Sequence, residues 1–411
     1  MGKIIYIMTR QLLYKLNQTQ IFINTFIFKT LMIIILLTVF NQDAYSQLLS
    51  EAFQEKVEVS SNITVDQVSN ISGGIKQGSS TLALFDFSLQ FPLAETGFLQ
   101  NTDIHTHLIK TTGKAASENF IGDLQVASNI EGHASNLFYE LLVIQNFKNL
   151  YLSVGFHDLN AEFMAGEYAG DMINSSFGIT PSVTLNMPVS IFPITTFGGY
   201  AKYHQDQFDL AGGFYNMNYD FLDDASFKPH NHFFQKGYMT VGEARYRWLQ
   251  SGKVAGEYKI GGYYKNCNKN TNSNQNGFYC PGRENYGIYM NIDQTLFSFS
   301  KSVLGTFIQT GFSPVKLNYA SEYYAGGFSL RREGDKTLQQ VGIGFGRVQL
   351  NKFKDGDFTA ANNHETMFEA TAKIALSNAI ILQPDIQYII NPSGTYDNAL
   401  TGIMRVYFNL M

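Results

Sequence analysis

The sequence between residues 122 and 181 contains GDLQVASNIEGHASNLFYELLVIQNF (122–147), LYLSVGFHDLNAEF (150–163) and INSSFGITP (173–181). These segments have the length of strands, and their carboxylates and amides are interleaved with tyrosine, phenylalanine, leucine and valine. A soluble β-sandwich rarely places so many acidic and amide side chains within its strands. A membrane barrel needs them, because its outer face meets lipid and its inner face meets water. The stretch therefore predicts strands of a closed, antiparallel transmembrane β-barrel.

Alternation with a two-residue period marks further strands near the end of the chain. Between residues 380 and 390, apolar side chains at even positions oppose Gln383, Asp385 and Gln387 at odd positions. Similar alternation is found in the segments 286–293, 365–376 and 400–408. Alternation alone also fits any half-buried sheet, so the length and number of the strands must decide. Because segments of about 9 to 12 residues can cross a membrane and single-chain barrels have even strand numbers, we predict an all-β barrel of about sixteen strands.

The N-terminal region predicts a secretory signal peptide over residues 1–46. Lys29 precedes the apolar run TLMIIILLTVF (30–40), and Ala44 and Ser46 supply the small residues of a cleavage site. A basic flank, a short apolar core and a cleavage site with small residues are typical of such signals. The run is too short to span a bilayer, which takes about 20 residues. An N-terminal anchor helix remains the alternative.

The composition limits what the rest of the chain does. We expect a lead-in segment over 47–75, either a short helix or extended chain, and a single porin-like barrel over 76–411. A mean hydropathy of −0.11 does not argue against a barrel, since alternating strands escape hydropathy windows. The 34 phenylalanines and 24 tyrosines suit a lipid-facing band and its interfaces. A net charge of −5 argues against a nucleic-acid partner.

The two cysteines, Cys267 and Cys280, flank an asparagine-rich segment that predicts a solvated loop. In an exported protein, such a pair is expected to form a disulfide that closes the loop. Free thiols are the less favoured alternative.

No catalytic or metal-binding motif is evident. The eight histidines, which include His105 and His107, are scattered, and His230 and His232 belong to an HNH sequence expected to be solvated. There is no G-x-S-x-G, no phosphate-binding loop and no zinc-ligand spacing. We therefore expect no enzyme activity, no cofactor and no metal.

Polar side chains at strand spacing are the candidates for a pore lining. Glu140 should face the lumen if Tyr139, Leu141 and Val143 face lipid. Carboxylates and amides suit sugar hydroxyls, which both donate and accept hydrogen bonds, and opposed charges across a pore favour dipolar solutes. Ordinary water-facing residues without ligand preference are the alternative. The candidates are Asp123, Gln125, Glu140, Asp158, Asn160, Glu162, Glu243, Arg245, Arg247, Asp385 and Gln387, with the aromatic rings of Tyr289 and Tyr407 placed either in the lumen or at the membrane interface.

Several segments, in order, resemble the signature blocks of the OprB family of carbohydrate-selective porins: GDLQVASNIEG, FYELLVIQNF, GFHDLNAEF, INSSFGI and ILQPDIQYIINPSG. The resemblance implies a monomeric, sixteen-stranded barrel in the bacterial outer membrane, through which glucose and other small sugars diffuse passively. It also implies contact with outer-membrane lipid and with the assembly machinery, to which Phe408 near the C-terminus contributes an aromatic signal. It adds Asn129 and Glu131 to the candidate sugar-binding and pore-lining positions.

The chain departs from the family pattern around the FYEL block. Leu142, Val143 and Ile144 stand where the family has tryptophan and polar residues, and Leu137 stands where it favours arginine. Loss of these polar groups favours a wider or less selective passage. A general diffusion porin is therefore the first alternative function, and a surface structural or adhesion barrel is the second.

Overall fold

The computed structural model describes residues 57–93, 100–132, 135–217, 237–267, 284–332, 338–351 and 362–410. The predicted signal peptide and the HNH sequence lie outside these residues, as does Cys280 of the predicted disulfide. The described residues form sixteen strands: Glu58–Gly74 (β1), Gly78–Pro92 (β2), Thr102–Thr112 (β3), Ser135–Asn146 (β4), Leu150–His157 (β5), Thr196–Gln205 (β6), Phe208–Asn216 (β7), Gly237–Gln250 (β8), Lys253–Cys267 (β9), Asn285–Phe299 (β10), Ser302–Phe312 (β11), Ala320–Arg332 (β12), Leu338–Leu350 (β13), His364–Ala375 (β14), Ile380–Ile390 (β15) and Asp397–Asn409 (β16).

These strands form one closed antiparallel barrel, as predicted. Each strand pairs with its neighbours in sequence, and β1 pairs with β16 to close the cylinder. The closing register runs from Asn62 opposite Asn409 to Gly74 opposite Asp397. Closure matters because a sheet edge in lipid would leave backbone N–H and C=O groups without hydrogen-bond partners.

The strand faces follow the alternation read from the sequence. In β15, Ile386 and Tyr388 are exposed on the outer surface, whereas Gln383, Asp385 and Gln387 point inward and are buried. The outer surface therefore carries a band of apolar side chains, and the charged face of each alternating segment lies inside the barrel. This confirms the predicted orientation of the segments 286–293, 365–376, 380–390 and 400–408.

The barrel begins earlier than residue 76. Residues Glu58–Gly74, which the sequence analysis placed in a lead-in segment, form the full length of β1. The apolar stripe of β1 is interrupted by polar Gln67, which is exposed on the outer surface. Its side-chain oxygen accepts a hydrogen bond from Thr81 of β2 at 2.6 Å, which compensates for this polar group. Because of this interruption, the two-residue alternation of β1 is less regular than that of the strands predicted from the sequence.

Two of the connections between strands fold into the barrel. The first insert (residues 113–132) follows β3 and contains a π-helical turn, Ser117–Ile121. The second insert (residues 158–195) follows β5. It contains two short α-helices, Leu159–Glu162 (α1) and Pro181–Thr184 (α2), and two 3₁₀ turns, Ala169–Asp171 and Ser175–Phe177. Among the residues that the structure describes, no helix is both long enough and apolar enough to cross a membrane.

The prediction that residues 122–132, 158–163 and 173–181 belong to strands is therefore wrong. Gly122 and Val126 have φ angles of 84° and 47°, which a strand does not allow. The Asp158 side chain accepts the N–H of Asn160 and caps α1, so the chain turns immediately after β5. Asp158, Asn160 and Glu162 thus do not share a strand face.

The space between the inserts and the wall is filled by apolar side chains. Ile173 and Phe177 of the second insert belong to one buried cluster with Phe307, Tyr323 and Met367 of the wall. A second cluster joins the start of the same insert to wall tyrosines and includes Leu159, Phe163, Val183, Tyr200, Tyr215 and Tyr289. Much of the barrel interior is consequently dry and close-packed.

A charged substitution on the outer surface tests whether this face lies in lipid. Ile386 is 48% exposed in the middle of β15, and Leu376 is 60% exposed just beyond the end of β14. We expect Ile386→Arg to lower the free energy of unfolding in detergent or lipid by about 2–4 kcal/mol, and Leu376→Arg by about 0–1 kcal/mol, because the cost rises with depth in the bilayer. Equal effects at both positions would contradict a lipid-facing band.

Candidate functional site

The first insert is held by a carboxylate of the wall. Glu365 of β14 is fully buried, and its two oxygens accept the backbone N–H groups of Leu124 and Gln125, each at 2.9 Å. It also accepts the N–H of Ser393 at 2.6 Å. These hydrogen bonds satisfy backbone donors that the irregular chain of the insert leaves without partners of its own.

The second insert is held in the same way at several points. Three buried wall acids, Glu243, Asp293 and Glu369, accept backbone N–H groups of this insert. The donors are Met164 to Glu243 at 3.1 Å, Tyr168 to Asp293 at 2.8 Å, and Ile173 and Asn174 to Glu369 at 2.6 and 3.0 Å. The insert therefore crosses the lumen from β8 to β14 along a row of acceptors.

Amide and tyrosine side chains of the wall donate to carbonyls of the second insert. Gln309 donates to Phe177 O at 2.8 Å and Tyr323 donates to Ser176 O at 3.0 Å. Gln340 and Gln383 both donate to Asp171 O, at 3.2 and 3.1 Å. With the carboxylates, these groups satisfy both kinds of backbone polar group in the insert.

Inward-facing glycines leave room for the side chains of the second insert. A Cβ atom on Gly305 of β11 would overlap the ring of Tyr168, and one on Gly344 of β13 would lie 2.8 Å from the ring of Phe177. The wall can therefore be approached closely only where it lacks side chains.

A buried ion pair joins the barrel seam to the first insert. The guanidinium of Arg405 in β16 donates to both oxygens of Asp66 in β1, each at 2.7 Å. It also donates to Asn129 Oδ1 at 2.7 Å, and Ser128 Oγ donates to Asp66 at 2.6 Å. Asp66 and Arg405 are 0% and 2% exposed, so each charge needs a partner within the protein. The two charges compensate each other, and Ser128 and Asn129 of the first insert complete their hydrogen bonding.

Between the two inserts lies a cavity of about 610 Å³. Five of the predicted site residues line it, namely Gln125, Asn129, Glu131, Asp158 and Asn160. Its wall also includes Thr64, Arg405 and Tyr407, together with apolar Leu124, Ile130, Phe177, Ile191 and Phe192. The lining thus combines amides and acids with apolar and aromatic surfaces.

The other predicted site residues do not line this cavity. Asp123 is buried in the first insert, Gln387 donates to Ala127 O at 2.8 Å, and Asp385 accepts from Gln387 at 3.1 Å. Arg245 donates to Glu243 at 2.8 Å and to the backbone oxygen of Glu162 at 3.0 Å. Most of these residues therefore support the inserts, and their role in sugar binding stays a prediction.

Arg247 lies on the same inward face of β8, in a network of charges. It donates to Asp209 at 2.6 Å and to Glu257 at 2.9 Å. Arg245 and Arg247 lie on one face of β8, as the two-residue spacing predicts. Arg245 Nη1 is 3.9 Å from an oxygen of the same Asp209 carboxylate.

Glu140 faces inward as predicted, but Tyr139 does not face lipid. The pairing of β3 with β4 shifts between His107 and Leu108, so that Tyr139 is an extra residue in the ladder. Tyr139 is consequently buried, and its hydroxyl donates to Asp158 at 2.7 Å. The Glu140 carboxylate accepts the N–H of Asp158 at 2.8 Å, so both residues fix the start of the second insert.

Three carboxyl groups in the inserts have altered acidity. Burial raises the pKa of Glu131 to about 7, and the charge of Asp123 adds to this effect. Burial also raises the pKa of Asp158 to about 7, with a further contribution from Glu140. The pKa of Asp123 is raised by burial to about 6. The two groups that line the cavity, Glu131 and Asp158, therefore change charge near neutral pH.

The sequence analysis missed the residues that position the inserts. Alternation in 365–376 and 400–408 predicts polar faces that include Glu365, Glu369 and Arg405. It does not indicate that the two glutamates accept hydrogen bonds from a distant backbone, or that Arg405 contacts the first insert. The sequence feature that these three residues share is a charged side chain on the polar face of an otherwise apolar strand.

Removal of one acceptor tests how the second insert is held. Asp293→Ala leaves the buried N–H of Tyr168 without this acceptor and should lower the free energy of unfolding by about 1–3 kcal/mol. Asp293→Asn keeps an acceptor oxygen and should cost less. Glu322→Ala, which removes an exposed acceptor of Tyr324, is the control and should change it by less than about 0.5 kcal/mol. Similar losses for Asp293→Ala and Glu322→Ala would contradict an anchoring role.

Comparison with solved structures agrees with this architecture. Pseudomonas putida OprB at high pH superimposes with a TM-score of 0.77 at 16% identity, over 89% of this chain and 97% of that one. Its low-pH structure gives 0.59 at 13% identity, over 90% and 97%. Salmonella typhi OmpF in complex with daunomycin gives 0.54 at 9% identity, over 86% and 97%. At these identities the likeness establishes the fold.

A family comparison identifies the chain more closely. No curated protein matches it. The model of the OprB family, described as carbohydrate-selective porins, matches residues 76–410. The chain therefore belongs to the OprB family of carbohydrate-selective porins and forms a bacterial outer-membrane channel for small sugars.

Proposed function

We propose that the cavity between the two inserts is the constriction that selects small, uncharged sugars, which cross it by passive diffusion. The observation that carries this proposal is the lining of the cavity, which places the exposed side chain of Asn129 beside apolar and aromatic side chains. The side-chain atoms of Gln125, which also lines the cavity, are buried. An accessible amide such as that of Asn129 is suited to a solute that both donates and accepts hydrogen bonds.

The composition of the cavity lining supports a sugar over a charged solute. Hydroxyl groups can bond to Asn129 and Asn160, while the C–H faces of a sugar ring can lie against Phe192 and Ile191. The cavity volume falls within the range of about 300–1,000 Å³ that small-molecule sites occupy. Hydrogen bonds that replace hydration one for one allow entry and still permit release.

Tyr407 supplies an aromatic surface at the same place. Its hydroxyl donates to Gln383 at 3.0 Å and accepts from Arg405 at 3.2 Å. These two hydrogen bonds fix the orientation of the ring. Arg405 also lies over the ring, 5.6 Å from its centroid. We assign Tyr407 to the lumen, with its free edge available to a passing sugar, whereas Tyr289 is buried beneath the second insert and bonds to Glu243.

The remaining parts of the proposal concern partners. A single chain supplies all the cavity residues and closes the barrel, which favours a functional monomer. Phe408 lies in the last strand, where it is available to the outer-membrane assembly machinery. The transport step needs no cofactor and no chemical reaction.

The amide of Asn129 provides a direct test of sugar binding. Asn129→Leu removes an exposed hydrogen-bonding group of nearly the same size, and the loss of about 0.5–1.5 kcal/mol per bond should weaken glucose block of single-channel current by about 2–10-fold. Open-channel conductance should change little. Gln205→Leu, at an exposed position near a turn, is the matched control and should leave the block unchanged.

Liposome swelling separates this proposal from a general diffusion porin. A selective channel should admit glucose faster than a neutral amino acid of similar size. Equal rates for the two solutes, together with an unchanged glucose block in Asn129→Leu, would contradict the selective constriction and leave the outer-membrane channel intact.

The acids of the cavity predict a pH-dependent ion selectivity. Below a pH of about 6 Glu131 and Asp158 should be mainly protonated and neutral, and above about 8 both should be charged, because each pKa is raised to about 7. Cation preference should therefore increase as the pH rises. It is measured as the reversal potential across a KCl gradient. A Glu131→Gln, Asp158→Asn double variant should lose this dependence, and its persistence would assign the effect to other groups.

A further inference from the structure

We propose that His105, His107 and Glu140 form a binding site for a transition-metal cation of the Zn²⁺ type on the inner wall. One potential ligand atom from each residue lies within 4.8 Å of the others. Glu140 Oε2 is 3.6 Å from His105 Nε2 and 3.5 Å from His107 Nδ1. Metal–ligand distances of about 2.0–2.2 Å place neighbouring corners of a tetrahedron about 3.3–3.6 Å apart, so the observed spacings need little adjustment.

The barrel wall explains why these side chains meet. His105 and His107 are two residues apart on β3, and therefore lie on the same face of the strand. Glu140 of β4 is the direct partner of His107 across the ladder. The three ligands thus belong to two paired strands, which hold a site more rigidly than a loop would.

Hydrogen bonds around the cluster orient the ligand atoms. His107 Nε2 lies 2.9 Å from Asp86 Oδ2 of β2, which favours the tautomer with its proton on Nε2 and a free lone pair on Nδ1. Metal-binding histidines commonly donate their second N–H to a carboxylate in this way. The other oxygen of Glu140 accepts the N–H of Asp158 at 2.8 Å, which directs Oε2 toward the histidines.

The cluster remains accessible for a metal ion. The side chains of His105, His107 and Glu140 are 21%, 18% and 9% exposed. Three protein ligands leave a fourth position for water, as is usual in open zinc sites. A simpler arrangement, in which protonated histidines pair with Asp86 and Glu140, uses the same contacts without a metal. Direct measurement of metal binding therefore separates the two.

Zinc titration of the purified full-length mature protein tests the proposal. After treatment with a chelator, the protein in detergent should bind one equivalent of ZnCl₂ by isothermal titration calorimetry. X-ray absorption of the zinc complex should show two imidazole nitrogens and one carboxylate oxygen. Asp86→Asn should weaken binding by about 10–100-fold, and His105→Ala or Glu140→Gln should weaken it at least as much.

Two controls make the assignment specific. His204→Ala removes a histidine that pairs with Asp209 elsewhere on the wall, and a His230→Ala, His232→Ala double variant removes the HNH sequence. Both should keep the zinc affinity of the parent protein. Because His107 also pairs with Asp86 of the neighbouring strand, His105→Ala, with folding checked by circular dichroism, is the deciding variant.

Three outcomes would overturn the metal site. They are the absence of zinc binding in the parent protein, undiminished binding in folded His105→Ala, and loss of binding in the HNH variant alone. None of these outcomes bears on sugar permeation, because the three proposed ligands do not line the cavity between the inserts.

Discussion

The structure depends on carboxylates of the barrel wall that accept backbone N–H groups from chain folded inside the barrel. A non-helical segment at membrane depth is stable only when its polar backbone groups find partners. Glu243, Asp293, Glu365 and Glu369 provide such partners on three strands, and each is almost completely buried. The same acids would be costly inside the barrel without donors, so the wall and the inserts stabilise each other.

The sequence was sufficient to predict the barrel, because alternation is a local property of each strand. In the middle of β15, Gln383, Asp385 and Gln387 alternate with apolar residues, and β14 and β15 have the predicted orientation. The inserts were not predictable in this way. Interleaved polar and apolar residues in 122–131 look like a strand, but Gly122 and Val126 have a left-handed conformation that a strand does not allow. The backbone between them is held by Glu365, which lies about 240 residues away.

The candidate site was predictable in its chemistry and only partly in its residues. Gln125, Asn129 and Asp158 belong to the predicted set and line the cavity, because polar side chains in an apolar context do require partners or water. The same reasoning assigned Glu243 and Gln387 to the pore, where the structure instead buries them against insert backbone. The sequence of a strand cannot distinguish a residue that lines the pore from one that binds the backbone of an insert, since both place a polar group inside the barrel. The distinction arises only from where the inserts lie.

Close packing of the inserts has a consequence for selectivity. Each wall-to-insert hydrogen bond contributes about 0.5–1.5 kcal/mol, and each large buried side chain, such as Phe163 or Phe177, about 1.5–3 kcal/mol. Moving the second insert aside would disrupt several of both at once, including its contacts with Glu369 and Gln309. The cost far exceeds thermal energy, so solutes do not open the passage by displacing it. Selection by size therefore follows from the fixed separation of the two inserts, and selection by chemistry from the few polar groups that their packing leaves accessible in the cavity.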